Sequence, residues 1–377
     1  MTGKIDTRTL KAALKRLAAF VDARPSLAIL ERVHIDVQYG CARLTVYDME
    51  KSLTAKVAID GANPCAVAVK FKDLRKIVDK VKSDTISVDF RTGTENPEVT
   101  IKAGNLEFML NAKPGADFPQ IPEADDIAMI TDTTWSEFIN EAVFVKAASS
   151  MDMPKNFTSG IMFAYRDPAL ELVGTDGRRL HLTRIAGRHS AKPDQDSTKA
   201  LVPSATIHAM CKLNLDPDAS LRIGFAENLM TWSVPSEGVE GVSHLLDTPY
   251  PDYRKVIPDD CQSRFRLDTK ATIESLNALA VIASERDGRD MVVVNANGTL
   301  NLSAHAESMG SAEAVVPCTH VAGPERRFAL NVFYLIETLK LANGEITLST
   351  NGGLEPARFD YPDTERIAVV MPVRLPE

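Results

Sequence analysis

Hydrophobic and polar positions follow two different periods along this chain. Apolar residues recur three or four positions apart in six stretches: residues 6–21, 71–81, 134–147, 204–213, 270–284 and 332–341. Strict alternation of apolar and polar residues follows in stretches such as 85–90, 221–225 and 345–349. Because the first period is typical of amphipathic helices and the second of half-buried strands, the pattern predicts six short helices separated by strands.

The order of these elements repeats along the chain. The second, fourth and sixth helical stretches begin about 130 residues apart, which is close to the size of one ordinary domain. An aromatic residue followed by proline closes each repeat, at residues 118–119, 250–251 and 361–362. The repeat therefore predicts an α+β protein of three similar domains, residues 1–125, 126–256 and 257–377. Each domain is expected to pack two helices on antiparallel sheets.

The helices carry basic side chains on the face opposite their apolar stripe. The candidates in the first two helices are Arg8, Lys15, Lys72 and Lys76. Lysine and arginine on such a face would neutralise phosphates without reading a base sequence. A solvated helix face is the commoner meaning of such charges, and the later helices hold fewer of them. The formal net charge of −8 also shows that any basic surface has to be local.

Several classes of protein are disfavoured by the composition. The five cysteines are scattered and form no CxxC pair, so neither a disulfide framework nor a zinc site is expected. The chain has no apolar stretch long enough to span a membrane and no signal-peptide pattern at its start. These features predict a cytoplasmic protein that needs no cofactor or metal.

Three motifs resemble the bacterial beta sliding clamp, the processivity subunit of DNA polymerase III. Residues 175–180, Thr-Asp-Gly-Arg-Arg-Leu, are similar to the family's TDGHRL turn, with Arg178 in place of the usual histidine. Residues 250–258 are similar to its FPDYRRVLP segment, and residues 369–375 to VVMPMRL. With weaker similarities at residues 24–30, 116–119 and 331–335, the resemblance extends over nearly the whole chain.

The resemblance implies a non-catalytic processivity factor. Two copies would join head to tail into a ring around double-stranded DNA, with helices lining the hole and sheets forming the outer wall. Arg24 matches a basic position that the family directs at DNA, beside the basic helix faces. The implied dimer interface comprises Phe108, Leu110, Ile282 and Ala283, and Ala283 is smaller than the leucine usual there.

The resemblance also implies a pocket for short peptides of the replicative DNA polymerase, the clamp loader and other proteins with a clamp-binding motif. Mapped residue by residue, the pocket comprises Thr175, Gly177, Arg179, Leu180, Pro251, Lys255, Val256, Leu354, Pro356, Val369, Met371, Pro372, Val373, Arg374 and Leu375. Two positions depart from the family: Thr158 replaces a leucine and Lys155 an arginine. The peptide preference is therefore expected to differ in detail.

Two other functions compete with a sliding clamp. An enzyme is suggested by Asp176 beside Arg178 and Arg179, a combination that suits phosphoryl chemistry. However, the sequence has no P-loop, GxSxG, HExxH or dinucleotide motif. An Asp-Gly pair such as Asp176-Gly177 is typical of a turn. The other alternative is a repeat-type interaction protein that never touches DNA, for which a monomer or an open chain is expected.

Overall fold

The structure is a computed structural model. It describes residues 2–94, 96–125, 127, 129–150, 156–166, 169–185, 187–191, 199–226, 228–285 and 289–375. Lys155, one of the two positions that depart from the family pattern, lies outside these residues.

All six predicted helices are present in this part of the chain. They are α1 (Thr7–Leu17), α2 (Phe71–Lys80), α3 (Trp135–Lys146), α4 (Ser204–Met210), α5 (Thr269–Ala283) and α6 (Val332–Lys340). Helix α1 ends four residues earlier than its apolar pattern predicted. Its chain turns more tightly there, with the Ala19 and Phe20 amides donating to carbonyls three residues back, and this turn buries the Phe20 ring.

Polar residues at the strand ends start several of these helices. The Asp6 carboxylate accepts the Thr9 amide at 2.7 Å in front of α1, and the Asp268 carboxylate accepts the Ala271 amide at 2.7 Å in front of α5. Asn331 accepts two amides in the same way in front of α6. Since the first amides of a helix have no partner inside it, such caps fix where each helix begins.

Strands make up most of the remaining described residues, and they divide between two compact units. The first unit, residues 1–139 and 186–245, contains β1 (Thr2–Asp6), β2 (Arg32–Gln38), β3 (Cys41–Tyr47), β4 (Lys51–Ala58), β5 (Cys65–Lys70), β6 (Thr85–Arg91), β7 (Glu98–Ala103), β8 (Leu106–Pro114), β9 (Met129–Thr134), β13 (Arg188–Ala191), β14 (Lys199–Pro203), β15 (Ser220–Phe225), β16 (Leu229–Val234) and β17 (Val239–His244). The second unit, residues 140–185 and 246–377, contains β10 (Gly160–Arg166), β11 (Ala169–Thr175), β12 (Arg179–Ile185), β18 (Ser263–Asp268), β19 (Met291–Ala296), β20 (Thr299–Ala306), β21 (Gly310–Ala322), β22 (Arg326–Asn331), β23 (Glu345–Thr350), β24 (Ala357–Asp360) and β25 (Ile367–Val370). The three domain ranges suggested by the sequence repeat stay a prediction.

One large antiparallel sheet organises each unit. In the first, the strand order is β1-β6-β7-β8-β5-β2-β3-β4-β17-β16-β15-β9-β13. In the second, it is β10-β11-β12-β25-β24-β23-β18-β21-β20-β19-β22. Antiparallel sheets can keep one face in the core and the other in water. The helices pack their apolar stripes on the sheets, as when α1 buries Leu10, Leu14 and Leu17.

The same joint between strands occurs in both units. Strand β4, the third strand after α1, pairs with β17, the third strand after α4, from Val239↔Ala55 to Ser243↔Lys51. Strand β12, the third strand after α3, pairs with β25, the third strand after α6, from Arg179↔Val370 to Leu182↔Ile367. The repeat in the sequence is thus a repeat in strand pairing as well.

Candidate functional site

A cavity of about 230 Å³ lies in the second unit beside the joint of β12 with β25. It is lined by Phe157, Thr175, Gly177, Arg179, Leu180, Pro251, Asp252, Tyr253, Val256, Val369 and Met371. Most of these side chains are apolar. Four separate parts of the sequence therefore meet around one hydrophobic cavity of the size of a few side chains.

Eight of the predicted pocket residues lie around this cavity: Thr175, Gly177, Arg179, Leu180, Pro251, Val256, Val369 and Met371. Three lining residues were not predicted. Asp252 and Tyr253 belong to the very motif that supplied Pro251 and Val256, so that motif could have yielded them. Phe157 precedes Thr158, the position at which the family usually has a leucine. In this chain Phe157 lines the cavity.

Seven other predicted residues do not line the cavity: Lys255, Leu354, Pro356, Pro372, Val373, Arg374 and Leu375. The Lys255 ammonium lies 3.4 Å from the Asp252 carboxylate, outside the hole, and Leu354 is exposed. The Val373 amide donates to the Ala329 carbonyl at 2.8 Å, so this end of the chain is held against β22. The part of these residues in binding stays a prediction.

The first wall is the turn between β11 and β12. The Asp176 carboxylate accepts the amides of Arg178 and Arg179 at 2.9 and 3.0 Å, and Gly177 supplies the positive φ of 84°. The Thr175 hydroxyl donates to the Arg179 carbonyl at 2.6 Å. These bonds close the turn on itself, so Asp176 has the structural role that its Asp-Gly pair indicates.

The second wall is the segment of residues 250–256. The Tyr250 hydroxyl donates to the Val173 carbonyl at 3.3 Å, and the Tyr253 hydroxyl donates to the Glu171 carboxylate at 2.8 Å. Arg254 donates to the same carboxylate oxygen at 2.8 Å. Glu171 and Val173 are both on β11. Hydrogen bonds therefore attach this wall to the strand that leads into the first wall.

Glu171 is a buried charge, with 2% of its surface exposed. Burial by itself would raise the pKa of this carboxyl group. The hydrogen bonds from Arg254, Tyr253 and Arg184 outweigh burial, and the pKa of Glu171 lies below its usual value. The group is therefore a fixed negative charge at neutral pH.

The third wall is β25 and the residue after it. Val370 is fully buried and completes the sheet, whereas the side chain of Met371 is partly exposed at the cavity. The Met371 amide donates to the Arg178 carbonyl at 2.8 Å. An unbranched methionine on a fixed backbone can adjust its shape to different ligands.

The predicted DNA-facing residues are exposed. Arg8 and Lys15 are on α1, Lys72 and Lys76 are on α2, and Arg24 is in the turn that follows α1. Helices α1 and α2 pack beside each other in the first unit. All five side chains are accessible from solution, and their part in DNA binding stays a prediction.

The predicted interface residues differ in exposure. Phe108 and Leu110 on β8 are half-buried, and Met109 between them is 61% exposed. Ile282 on α5 is half-buried, but Ala283 is fully buried within its own unit. The exposed neighbour of this pair is Val281.

Among the described residues, no helix is long and apolar enough to cross a membrane. In the same part of the chain, no group of three or more histidine, cysteine or acidic residues is placed to hold a metal ion.

Two antiparallel sheets with six short helices, and a hydrophobic cavity at a strand joint, define an α+β protein of the DNA-clamp class. Comparison with known proteins specifies the family. The N-terminal domain of the DNA polymerase III beta subunit matches residues 1–122, and its central domain matches residues 132–252. Together these matches cover more than half of the chain, which belongs to the beta sliding clamp family.

Relatives of full length agree with this assignment. The chain is 25% identical to the beta sliding clamp of Pseudomonas aeruginosa, over 98% of this chain and 99% of that one. It is 23% identical to the beta sliding clamp of Escherichia coli K12, again over 98% and 99%. The family resemblance inferred from the three motifs is confirmed.

Solved structures show the same fold. A sliding clamp of Pseudomonas aeruginosa, bound to griselimycin, has a TM-score of 0.90 at 22% identity and full coverage of both chains. The sliding clamp of Bacillus subtilis has a TM-score of 0.90 at 20% identity, also with full coverage. The predicted clamp fold is therefore confirmed. The chain is a DNA polymerase processivity factor and not an enzyme, and the alternative of a repeat protein that never touches DNA is not favoured.

Proposed function

We propose that two copies of this chain join head to tail into a closed ring around double-stranded DNA in the cytoplasm. The ring slides without sequence specificity. Its cavity binds short peptides of the replicative DNA polymerase, the clamp loader and other proteins that carry a clamp-binding motif. Processivity then follows from topology, because a closed ring cannot leave a duplex sideways.

The observation that supports the proposed ring is the strand joint that occurs in both units. Each joint pairs the third strand after α1 or α3 with the third strand after α4 or α6. The third strands after α5 and α2 are β21 and β8, and neither forms such a joint within the described residues. Residues 310–317 of β21 pair with β20, and residues 106–111 of β8 pair with β7. On their other side, these two stretches have no strand partner within the described residues.

The two remaining edges suit one another as halves of a third joint. Both carry exposed apolar residues, Met109 on β8 and Val315 on β21, the latter 67% exposed. An exposed strand edge is a template for pairing with another chain, and pairing it removes that liability. When β21 of one copy pairs with β8 of the next, two such joints close a ring of two copies.

The basic surface of α1 and α2 suits loose contact with DNA. Exposed lysine and arginine attract phosphates at long range but read no base. A few such contacts across ordered water hold the duplex without fixing the ring at one position. Arg24, exposed beside α1, adds to this surface.

The cavity suits the apolar end of a peptide. Leu180, Val256, Val369 and Met371 supply aliphatic walls, and Phe157 and Tyr253 supply rings. Full burial of a leucine or phenylalanine side chain contributes roughly 1.5–3 kcal/mol. Clamps of Pseudomonas aeruginosa and Bartonella birtlesii have been solved bound to griselimycin, and we expect griselimycin to compete with peptides for this cavity.

Retention on circular DNA tests the proposal. The chain is loaded onto nicked circular duplex by a clamp loader, separated from free protein, and the circle is then cut once. We expect a solution mass twice the 41.2 kDa of one chain, stable retention on the circle, and release after the cut. A monomer that circular and linear DNA retain equally would contradict the ring.

A further inference from the structure

We propose that Glu171 is a positioning residue that sets the geometry of the peptide cavity from outside it. This inference rests on the proposed peptide-binding function. Glu171 does not line the cavity, yet its carboxylate holds the segment of residues 250–256, which forms one complete wall.

The bonds of Glu171 converge from two directions. Oxygen Oε2 accepts the Tyr253 hydroxyl and the Arg254 guanidinium, both at 2.8 Å. Oxygen Oε1 accepts the Arg184 guanidinium at 3.3 Å, and Arg184 also pairs with Glu365 at 2.8 Å. One carboxylate thus links β11 and β12 to the separate segment that follows residue 250.

Tyr253 transmits this link to the cavity. Its ring lines the cavity while its hydroxyl is bonded to Glu171, and only 6% of its surface is exposed. Tyr250 packs edge-on against both Tyr253 and Phe157, with ring centroids 6.2 and 6.0 Å apart. A shift at Tyr253 therefore moves two of the aromatic side chains that a peptide would meet.

The charge of Glu171 makes the link strong. Hydrogen bonds to an ionised group are shorter and roughly twice as strong as neutral ones. A buried carboxylate also costs free energy unless all its partners stay in place. The carboxylate accordingly favours one arrangement of the wall over looser ones, which keeps the cavity open before a peptide arrives.

The corresponding position in the first unit is built differently. Arg43 on β3 pairs with Lys56, as Glu171 on β11 pairs with Arg184. There the bridging carboxylate is Glu240 of β17, which accepts Arg43 at 2.7 Å and Lys56 at 2.8 Å. That cluster joins strand to strand, whereas the cluster around Glu171 joins a strand to the wall of the cavity.

The test measures peptide affinity and folding stability separately in the full-length protein. The probe is a fluorescein-labelled ten-residue peptide that ends in Leu-Phe, read by fluorescence polarisation. Glu171→Gln removes the charge and keeps the shape, and Tyr253→Phe removes only the hydroxyl. We expect the dissociation constant to rise about five- to twentyfold in each.

A matched control separates positioning from general stability. Glu141 is also held by an arginine, Arg366, at 2.7 and 2.9 Å, and by a hydroxyl, that of Thr183, but it does not line the cavity. We expect Glu141→Gln to lower the melting temperature while it leaves peptide affinity within twofold of the wild type.

A double variant shows whether one link is at work. Since both substitutions break the same connection, Glu171→Gln with Tyr253→Phe should weaken binding no more than the stronger single change. Wild-type affinity in Glu171→Gln or Tyr253→Phe, while Met371→Lys abolishes binding, would refute the positioning role and leave the cavity intact. A wild-type protein that binds no peptide would overturn the peptide-binding function and this inference together.

Discussion

The guanidinium of Arg179 lies 4.5 Å from the centre of the Tyr334 ring. The same guanidinium is bonded to Asp176 at 3.0 Å and to Glu337. Arg179 lines the cavity, and Tyr334 and Glu337 are on α6. One side chain thus attaches the turn of the first wall to α6. Its planar guanidinium both stacks on the Tyr334 ring and donates to the two carboxylates.

Arg179→Lys tests the importance of that shape. Lysine keeps the positive charge, but its single nitrogen can neither stack as a plane on Tyr334 nor replace the separate Nε and Nη1 donors that bond Asp176 and Glu337. We expect peptide affinity to fall about tenfold, equivalent to about 1.4 kcal/mol, in fluorescence polarisation. Arg178→Lys, in the exposed neighbour in the same turn, serves as the control and should bind like the wild type. Equal affinity in both variants would mean that the attachment to α6 does not shape the cavity.

Reversing charge on the basic helices should weaken DNA association. For Lys72→Glu with Lys76→Glu, we expect loss of affinity for a linear duplex and a shallower dependence on salt, by roughly 0.9 in the log–log slope per lost phosphate contact. Titrations between about 50 and 200 mM salt, followed by fluorescence anisotropy, measure both. Lys199→Glu with Lys255→Glu changes the net charge equally at other exposed positions. If this control loses as much affinity, the effect is one of net charge and not of α1 and α2.

Charges on the β8 and β21 edges, which have no strand partner within the described residues, should separate the two copies of the proposed ring. Phe108→Asp with Leu110→Asp on β8, or Val315→Asp on β21, would bury unpaired carboxylates in the proposed joint, at several kcal/mol. Light scattering should then report a single-chain mass, while circular dichroism of Val315→Asp should show the secondary structure of the wild type because that side chain is exposed within one chain. Met49→Asp, at another exposed apolar position, should remain a dimer. Dimers in both edge variants would place the interface elsewhere.

His181 should make the protein less stable in acid. Burial lowers the pKa of this imidazole from 6.5 to about 4. Its Nδ1 donates to the Phe144 carbonyl at 2.8 Å, and its Nε2 is buried with no partner among the described residues. Protonation would therefore place an unpaired charge in the core.

The direction of the effect follows from proton binding. Between pH 4 and 6.5 the unfolded chain binds more protons at this site than the folded one, so stability is complete above pH 6.5 and declines as the pH falls towards 4. The contribution amounts to about 3 kcal/mol. Urea unfolding at pH 7 and pH 5 should show a smaller difference for His181→Asn, whose amide can still donate to the Phe144 carbonyl. An identical difference in the wild type and the variant would assign the acid sensitivity to other groups.

Local pattern was sufficient for the helices because their apolar residues recur at helical spacing, and a capping residue also starts α1, α5 and α6. The ends were less accurate: α1 stops at Leu17 because the next residues turn tightly to bury Phe20, a choice made by the core and not by helical spacing. Only a minority of the strands was anticipated, although others such as β7, β18 and β20 also alternate. Which strands pair was not predictable, because the pairings of β4 with β17 and of β12 with β25 join distant parts of the chain and no local pattern contains that information.

The cavity residues that belong to a sequence motif were predictable, whereas residues positioned by contacts between distant parts of the chain were not. Residues 175–180 and 250–258 supplied most of the wall positions. Glu171, by contrast, occupies a polar position in an alternating strand, which predicts an exposed side chain. It is buried because Tyr253, 82 residues further along, and Arg254 cover it, and no local pattern contains that information.

The edges of β8 and β21 that have no strand partner among the described residues also bear on how many copies the proposed assembly contains. Because β8 and β21 are different strands, a head-to-tail contact always presents the same two edges again at the ends of a growing chain of copies. Nothing in such a contact itself limits the number of copies, so the proposed closure after two copies depends on the angle at which each copy meets the next. Substitutions that alter this angle without weakening the contact should therefore yield open filaments in place of rings, a form of assembly visible by electron microscopy.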